Sequence, residues 1–147
     1  NIPWGISESA YNAHDLQLNY QYYAFGVPGL GLKRGLSEDL VVAPYATALA
    51  APISPTAAME NFRHLESEGA LTRFGFYESI DYTPVRLPPD KENVVIRAFL
   101  AHHQGMILVA LNNLLPESLM QKRFHAEPLV KDTELLLPEI IPYGNKA

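Results

Sequence analysis

The chain has no cysteine. That absence excludes a disulfide framework, a thiolate metal site and a cysteine nucleophile, and it allows a reducing compartment without requiring one. Charge is also scarce, with Asp, Glu, Lys and Arg making up 18% of the residues against a usual share of about 25%. Low charge beside an apolar share of 48% points to surface buried against other parts of a longer polypeptide. Positive charge is the scarcer sign, with 11 Lys and Arg against 16 Asp and Glu, a net charge of -5 and a pI near 5.5. The only adjacent basic pairs are Lys33-Arg34 and Lys122-Arg123, so no clustered basic face is offered to a nucleic-acid backbone. No initiator Met, signal peptide or lipidation pattern stands at Asn1-Ile2-Pro3-Trp4, which reads as the interior of a folded protein cut from something longer. The most apolar stretch, residues 94–115, has the length of a membrane span but carries Arg97, His102, His103, Gln104, Asn112 and Asn113. Those groups are too costly in hydrocarbon, so the expectation is a buried helix and no direct membrane insertion of this segment.

What is present is punctuation: 12 prolines and 9 glycines in 147 residues, enough chain for one domain with a core. Ser7 is a candidate cap for a short helix carrying Glu8, Tyr11, His14 and Asp15, and Phe25 to Leu32, with glycines at 26, 29 and 31 and Pro28, reads as a shaped loop. Asp39 is a candidate cap for a helix over 40–51, with Pro44 near its first turn. Ser54-Pro55 opens a clearer helix that runs to about Glu68 and stops at Gly69. A long helix is predicted over about 92–114, followed by helices over about 116–125 and 130–137. The long helix has apolar stripes on every side, including Val95, Phe99, Met106 and Val109 on one and Ile96, Leu100, Ile107 and Leu111 on the next. A helix apolar all round is buried all round, as in the inner ring of a helical toroid. No segment alternates with period two, so the predicted class is all-α, a portion of a toroid whose helices are joined by long aromatic and Gly/Pro-rich loops.

The segment Arg73-Phe-Gly-Phe-Tyr-Glu-Ser-Ile-Asp-Tyr-Thr83 sets Glu78 and Asp81 among four aromatic rings, a combination that suits a sugar. Flat rings stack on the C–H faces of a pyranose and carboxylates accept from its hydroxyls. The competing interpretation is a set of core aromatics under a loop with solvated acids. Glycoside cleavage needs two carboxyl groups, one transferring the proton of the leaving oxygen and one acting as nucleophile or water activator. Glu8, Asp39, Glu78 and Asp81 lie in aromatic or apolar loop contexts, and Glu8 and Glu78 are favoured because each follows an aromatic-glycine pair. Either could instead accept a backbone N–H structurally. His102-His103-Gln104-Gly105 interrupts the apolar helix and is expected to form a core hydrogen-bond network or a pocket wall. Adjacent histidines diverge by about 100° on a helix, so they are not expected to chelate one metal together.

Six blocks in order resemble one family. They are Trp4-Gly-Ile-Ser-Glu-Ser-Ala-Tyr-Asn12, Phe25-Gly-Val-Pro-Gly-Leu-Gly-Leu-Lys-Arg-Gly-Leu36, Val41-Val-Ala-Pro-Tyr-Ala-Thr-Ala-Leu49, Gly75-Phe-Tyr-Glu-Ser-Ile-Asp-Tyr-Thr-Pro84, Ala101-His-His-Gln-Gly-Met106 and Arg123-Phe-His-Ala-Glu-Pro128. They resemble the glucoamylase-like domain of the cyclic β-1,2-glucan synthases, which is related to endo-β-1,2-glucanases. The resemblance implies an (α/α)6 toroid, of which residues 1–147 supply the later part and 128–147 the exit toward a following domain. It implies cleavage of a linear β-1,2-glucan and its rejoining to its own end, without metal or organic cofactor, in a large polypeptide anchored at the cytoplasmic face of the bacterial inner membrane. Its partners would be the glucan and the rest of the same polypeptide. Glu8 and Glu78 fall in the blocks associated with the acid/base and the nucleophile. Trp4, Tyr77, Tyr82, His103 and Gln104 would line glucose subsites, with Asp39 and Asp81 as acceptors. The chain departs from the related glucanases by Ala10 where an acid is expected and by Glu rather than Asp at 78. The rival expectations are inverting hydrolysis and a non-catalytic module that binds glucan or joins domains.

Overall fold

The computed structural model describes residues 1–25, 39–115 and 119–137, and the chain divides into units 1–111 and 112–147. In the first unit Glu8–His14 (β1) and Tyr20–Ala24 (β2) form an antiparallel hairpin with Glu8 opposite Ala24 and Ala10 opposite Tyr22. The expected helix at Ser7 is therefore a strand pair. Its turn is built by the Asp15 carboxylate, which accepts from the backbone N–H of Gln17 and Asn19 at 2.9 Å each, while Leu18 takes a φ of 65°. An Asx-type turn followed by Tyr20, Tyr22 and Tyr23 favours a hairpin over a helix.

Val41–Val42 (β3), Ser79–Asp81 (β6) and Val94–Ile96 (β7) make a three-stranded antiparallel sheet with β6 in the middle. Between β3 and β6 in sequence lie helices Pro44–Ala50 (α1) and Pro55–Ser67 (α2) and the small hairpin of Leu71–Thr72 (β4) and Gly75–Phe76 (β5). One face of the sheet offers Val42 and Ile80 to Leu65 of α2, with Ala70 and Tyr82 completing that core. The opposite face offers Val41, which packs with Phe25 against Tyr11 and Tyr23 of the first hairpin. Because successive strand residues point to opposite faces, a sheet covered on both sides buries consecutive valines.

These strands overturn the all-α toroid expected from the sequence: five α-helices accompany seven strands in three sheets among the described residues. Strands of two or three residues are too short to display period-two alternation, so the sequence pattern is silent about them. The long helix is corrected in the same way. Val94, Val95 and Ile96 are β-branched and pair with β6, and helix begins only at Ala101–Asn113 (α3). Nor is that helix buried on every side, since His103 and Ala110 are its buried residues while Leu108, Val109 and Leu111 are exposed.

The helix expected from Ser54-Pro55 forms with Pro55 in its first turn, although the Ser54 side chain makes no cap bond. Its end is the glycine stop that was expected. Gly69 has a φ of 82°, its N–H reaches the Glu66 carbonyl at 2.9 Å, and the Ala70 N–H reaches the Leu65 carbonyl at 3.0 Å. That pair of bonds is a Schellman closure, with Leu65 and Ala70 both in the core. Asp39 caps no helix, because α1 starts at Pro44 after Ala43.

Gly5 shows what closes the hairpin end of the first unit. Its φ is +125°, its carbonyl accepts from the Ala43 N–H at 2.9 Å, and an added Cβ would stand 3.1 Å from the Ala43 carbonyl oxygen. Gly5→Ala is expected to cost roughly 1–3 kcal/mol through backbone strain. The check is a lower urea midpoint at unchanged slope.

In the second unit, the helices expected over about 116–125 and 130–137 are present with shifted ends, as Leu119–Ala126 (α4) and Pro128–Glu134 (α5). A His125–Glu134 contact joins the two. The expected exit segment thus begins as a helix, and its part from 138 onward lies outside the described residues, as does the glycine loop from 26 to 38. Among the described residues no helix is long and apolar enough to cross a membrane.

Candidate active site

Two acids stand at β6, Asp81 within it and Glu78 just before it. Ser79 and Asp81 point to the hairpin side of the sheet, and with Glu78 they seize the β1 backbone. The Ala10 N–H donates to Glu78 Oε1 at 3.3 Å, the Ser79 hydroxyl donates to the Ala10 carbonyl, and the Asn12 N–H donates to Asp81 Oδ2 at 3.0 Å. Ala10 and Asn12 stand two residues apart on β1, so their amides face the same way, and Glu78 and Asp81 take one each.

Asp81 is fully buried and accepts three further hydrogen bonds: Arg86 Nε at 2.7 Å, Arg86 Nη2 at 3.1 Å and the Thr83 N–H at 2.9 Å join the Asn12 bond. Burial pushes its pKa up, but the Arg86, Thr83 and Asn12 hydrogen bonds outweigh burial and hold it below the ordinary value. Arg86 also pairs with Asp39 and lies 4.9 Å above the Tyr11 ring. Asp39 and Asp81, both expected as sugar acceptors, are thus joined through one guanidinium.

Glu78 leads elsewhere. It is 2% exposed, and its Oε1 and Oε2 lie 2.8 and 3.0 Å from Nδ1 of His103, itself 1% exposed. A carboxylate only accepts, so Nδ1 donates, and Nε2 is the ring nitrogen turned away from Glu78. The His103 ring stacks on Tyr45 at 3.9 Å between centroids, and the Tyr45 hydroxyl is 2.6 Å from the Ser7 hydroxyl. On the far side, the Tyr22 hydroxyl lies 3.2 Å from His103 Nε2 and 3.3 Å from His102 Nε2. Burial of that hydroxyl, with the negative charge of Glu8 beside it, pushes the Tyr22 phenol above its ordinary pKa. Burial likewise pushes Tyr45 up.

Glu8 completes the arrangement from the exposed start of β1: one of its carboxylate oxygens and a ring nitrogen from each of His102 and His103 lie within 4.8 Å of one another. Glu8, Glu78 and His103, all expected at the site, are therefore brought together. His102, expected as part of a polar cluster on its helix, joins them, and so do Tyr22 and Tyr45, which were not expected there. Tyr22 could have been found from its position opposite Ala10 had the hairpin been read, since that register sets it beside the Trp4 to Asn12 block.

The other expected sugar contacts scatter. Tyr82 lies in the α2-side core. Tyr77 is tilted against Phe99 at 5.1 Å between centroids. Gln104 donates to the Phe76 carbonyl at 3.2 Å. Trp4, 42% exposed, lines a separate surface cavity of about 300 Å³ with Glu60, Asn61 and His64, its backbone clasped by the Asn61 amide.

Residues 2–128 match the Glycoamylase family model. The chain is 46% identical over 140 residues to the cyclic β-(1,2)-glucan synthase NdvB of Rhizobium meliloti (strain 1021), covering 95% of this chain and 5% of that protein. A glucoamylase-like protein from Bacteroides caccae ATCC 43185 superposes with a TM-score of 0.55 at 25% identity, covering 88% of this chain and 26% of the other. An endo-β-1,2-glucanase from Chitinophaga pinensis, solved with sophorotriose and glucose, gives a TM-score of 0.54 at 23% identity over 88% of this chain and 26% of that one. The chain thus spans about one twentieth of the curated relative and about a quarter of the solved structures.

Proposed function

The chain belongs to the Glycoamylase family, and from that membership we propose that it serves a carbohydrate-active domain that cleaves and re-forms β-1,2-glucosidic bonds, closing a linear glucan on itself. The substrate class comes from the names of the synthase and the glucanase it resembles. The observation that carries the chemistry is the line Glu78, His103, Tyr22, Glu8, which runs from a shielded carboxylate to an exposed one. The two acids then have unequal duties. Glu8 reaches the glucosidic bond, giving a proton to the leaving oxygen and taking one from the incoming hydroxyl. Glu78 is walled off from substrate and acts as a positioning residue, fixing the His103 ring and through it the Tyr22 hydroxyl. Because a β bond is broken and a β bond re-formed, the anomeric configuration is retained, and a product of inverted configuration would count against this reading.

We further propose that the chain works inside a longer, membrane-anchored polypeptide, on the cytoplasmic face, with the rest of that polypeptide supplying the remaining walls of the cleft. The segment 1–147 alone is expected to show no useful turnover, and robust glucan processing by it would refute this. The rival, a module that only binds glucan or joins domains, draws on the engagement of Glu78 and Asp81 with β1 amides. Glu8→Gln separates the two in the complete polypeptide. Glucan cleavage and cyclisation are expected to fall by about 10²–10⁴-fold, the usual loss for a proton-transfer group, with glucan binding retained. Unchanged cyclisation would leave the module reading standing.

A further inference from the structure

The glucan reading uses Glu8 and His103 but gives no task to His102, nor does it explain why three metal-ligating side chains converge. We propose that Glu8, His102 and His103 form a binding site for a zinc-like divalent transition-metal ion. Their ligand atoms lie within 4.8 Å of one another. Both imidazoles turn Nε2 toward a single point, marked by the Tyr22 hydroxyl at 3.2 and 3.3 Å. Their ring centroids stand 4.0 Å apart, so the divergence expected of neighbouring residues on a helix is undone by side-chain torsions at the start of α3.

The chemistry of the donors selects the ion. Two imidazoles and one carboxylate suit zinc and its neighbours, whereas magnesium and calcium prefer oxygen alone. Three protein ligands of this kind leave a fourth tetrahedral position for water. Tetrahedral zinc with bonds of about 2.0–2.1 Å sets its ligand atoms about 3.3 Å apart, so the group must tighten on binding. Glu8 and His102 are exposed and give the ion its way in, while His103 is buried and held by Glu78 and Tyr45. The fixed ligand has the outer partner such sites use. Glu78 accepts the Nδ1 proton of His103 at 2.8 Å, which commits the lone pair of Nε2 to the ion and holds the ring's plane. For the ion to enter, the Tyr22 hydroxyl gives up its two nitrogen contacts and becomes a neighbour of the open position.

The test uses the complete polypeptide, stripped with a chelator and titrated with Zn²⁺ in a calorimeter and with Co²⁺ in a visible spectrometer. Parent protein is expected to take up one equivalent of zinc that His102→Ala does not, and to show the intense visible bands of tetrahedral cobalt that the variant lacks. Glu78→Gln, acting one shell out, is expected to weaken zinc about 10–100-fold. Because His102 is exposed, its alanine variant should fold, and matching circular dichroism spectra establish that it does. Equal zinc uptake by parent and His102→Ala, or cobalt spectra that do not differ, would overturn the site.

Binding is measured without substrate, so the outcome stands apart from the glucan reading. Because Glu8 is shared, zinc is also expected to inhibit cyclisation with a half-effect at its dissociation constant. Binding without inhibition would remove Glu8 from the glucan reaction and leave the metal site intact.

Discussion

Alanine at position 81 is expected to cost about 3–5 kcal/mol, the loss seen when one partner of a buried ion pair is removed. Domains of ordinary stability hold only about 5–15 kcal/mol in total, so the variant should be largely unfolded at a modest urea concentration where the parent is intact. The magnitude follows from what the carboxylate serves. Asp81 meets Arg86 through two nitrogens, the Thr83 amide and the Asn12 amide, all from a position with no solvent exposure. Alanine leaves the guanidinium with Asp39 and the Thr83 hydroxyl, and the backbone amides of Asn12 and Thr83 lose their acceptor in a half-buried and a buried setting. Asp81→Asn keeps one acceptor oxygen and should lose less.

The same carboxylate gives stability an acid dependence. Its folded pKa lies below its unfolded one, so its contribution is complete above the unfolded value of about 3.9 and disappears as pH falls through the folded value. Urea midpoints at neutral pH and near pH 3 should therefore converge between parent and Asp81→Asn as the solution is acidified. A constant gap across that window would show that the ionised carboxylate is not what stabilises the hairpin on the sheet.

How much of this was legible in the sequence depends on the length over which each signal acts. Ser54-Pro55 and Gly69 bracket α2 because proline and glycine act within single residues, and a helix of 13 residues leaves room for its period. Val41–Val42 and Ser79–Asp81 are too short for any period, and their pairing joins residues about 40 apart, which no local window contains. The carbohydrate signal around Glu78 was legible in its residue types, but its geometry was not. The Glu78 carboxylate turns inward to a β1 amide and to His103 from the residue before β6, and the place of β6 between β3 and β7 is not contained in any local window. Likewise the argument that two adjacent histidines diverge holds for Cβ directions and fails for the Nε2 atoms three bonds further out.

Glu78→Gln is expected to lower kcat/KM for glucan processing by about 10⁴-fold, the loss seen elsewhere when a buried carboxylate behind a histidine becomes an amide and the ring takes the wrong tautomer. Glutamine is nearly isosteric and keeps one oxygen. The Ala10 N–H, a fixed donor, requires that oxygen, so the amide NH₂ group turns to His103. Nδ1 must then accept, the ring proton moves to Nε2, and the Tyr22 hydroxyl meets a donor where it met a lone pair. The effect reaches Glu8 with no change in any residue that touches substrate. Consequently kcat should fall while KM and glucan binding stay near parent values, and the pH profile of kcat/KM should lose one limb. A role limited to stapling β1 predicts something else, since the amide oxygen still serves Ala10: a lower melting point with kcat and pH profile intact. That second pattern would withdraw the Glu78–His103–Tyr22 line from the chemistry and leave Glu8 to act without it.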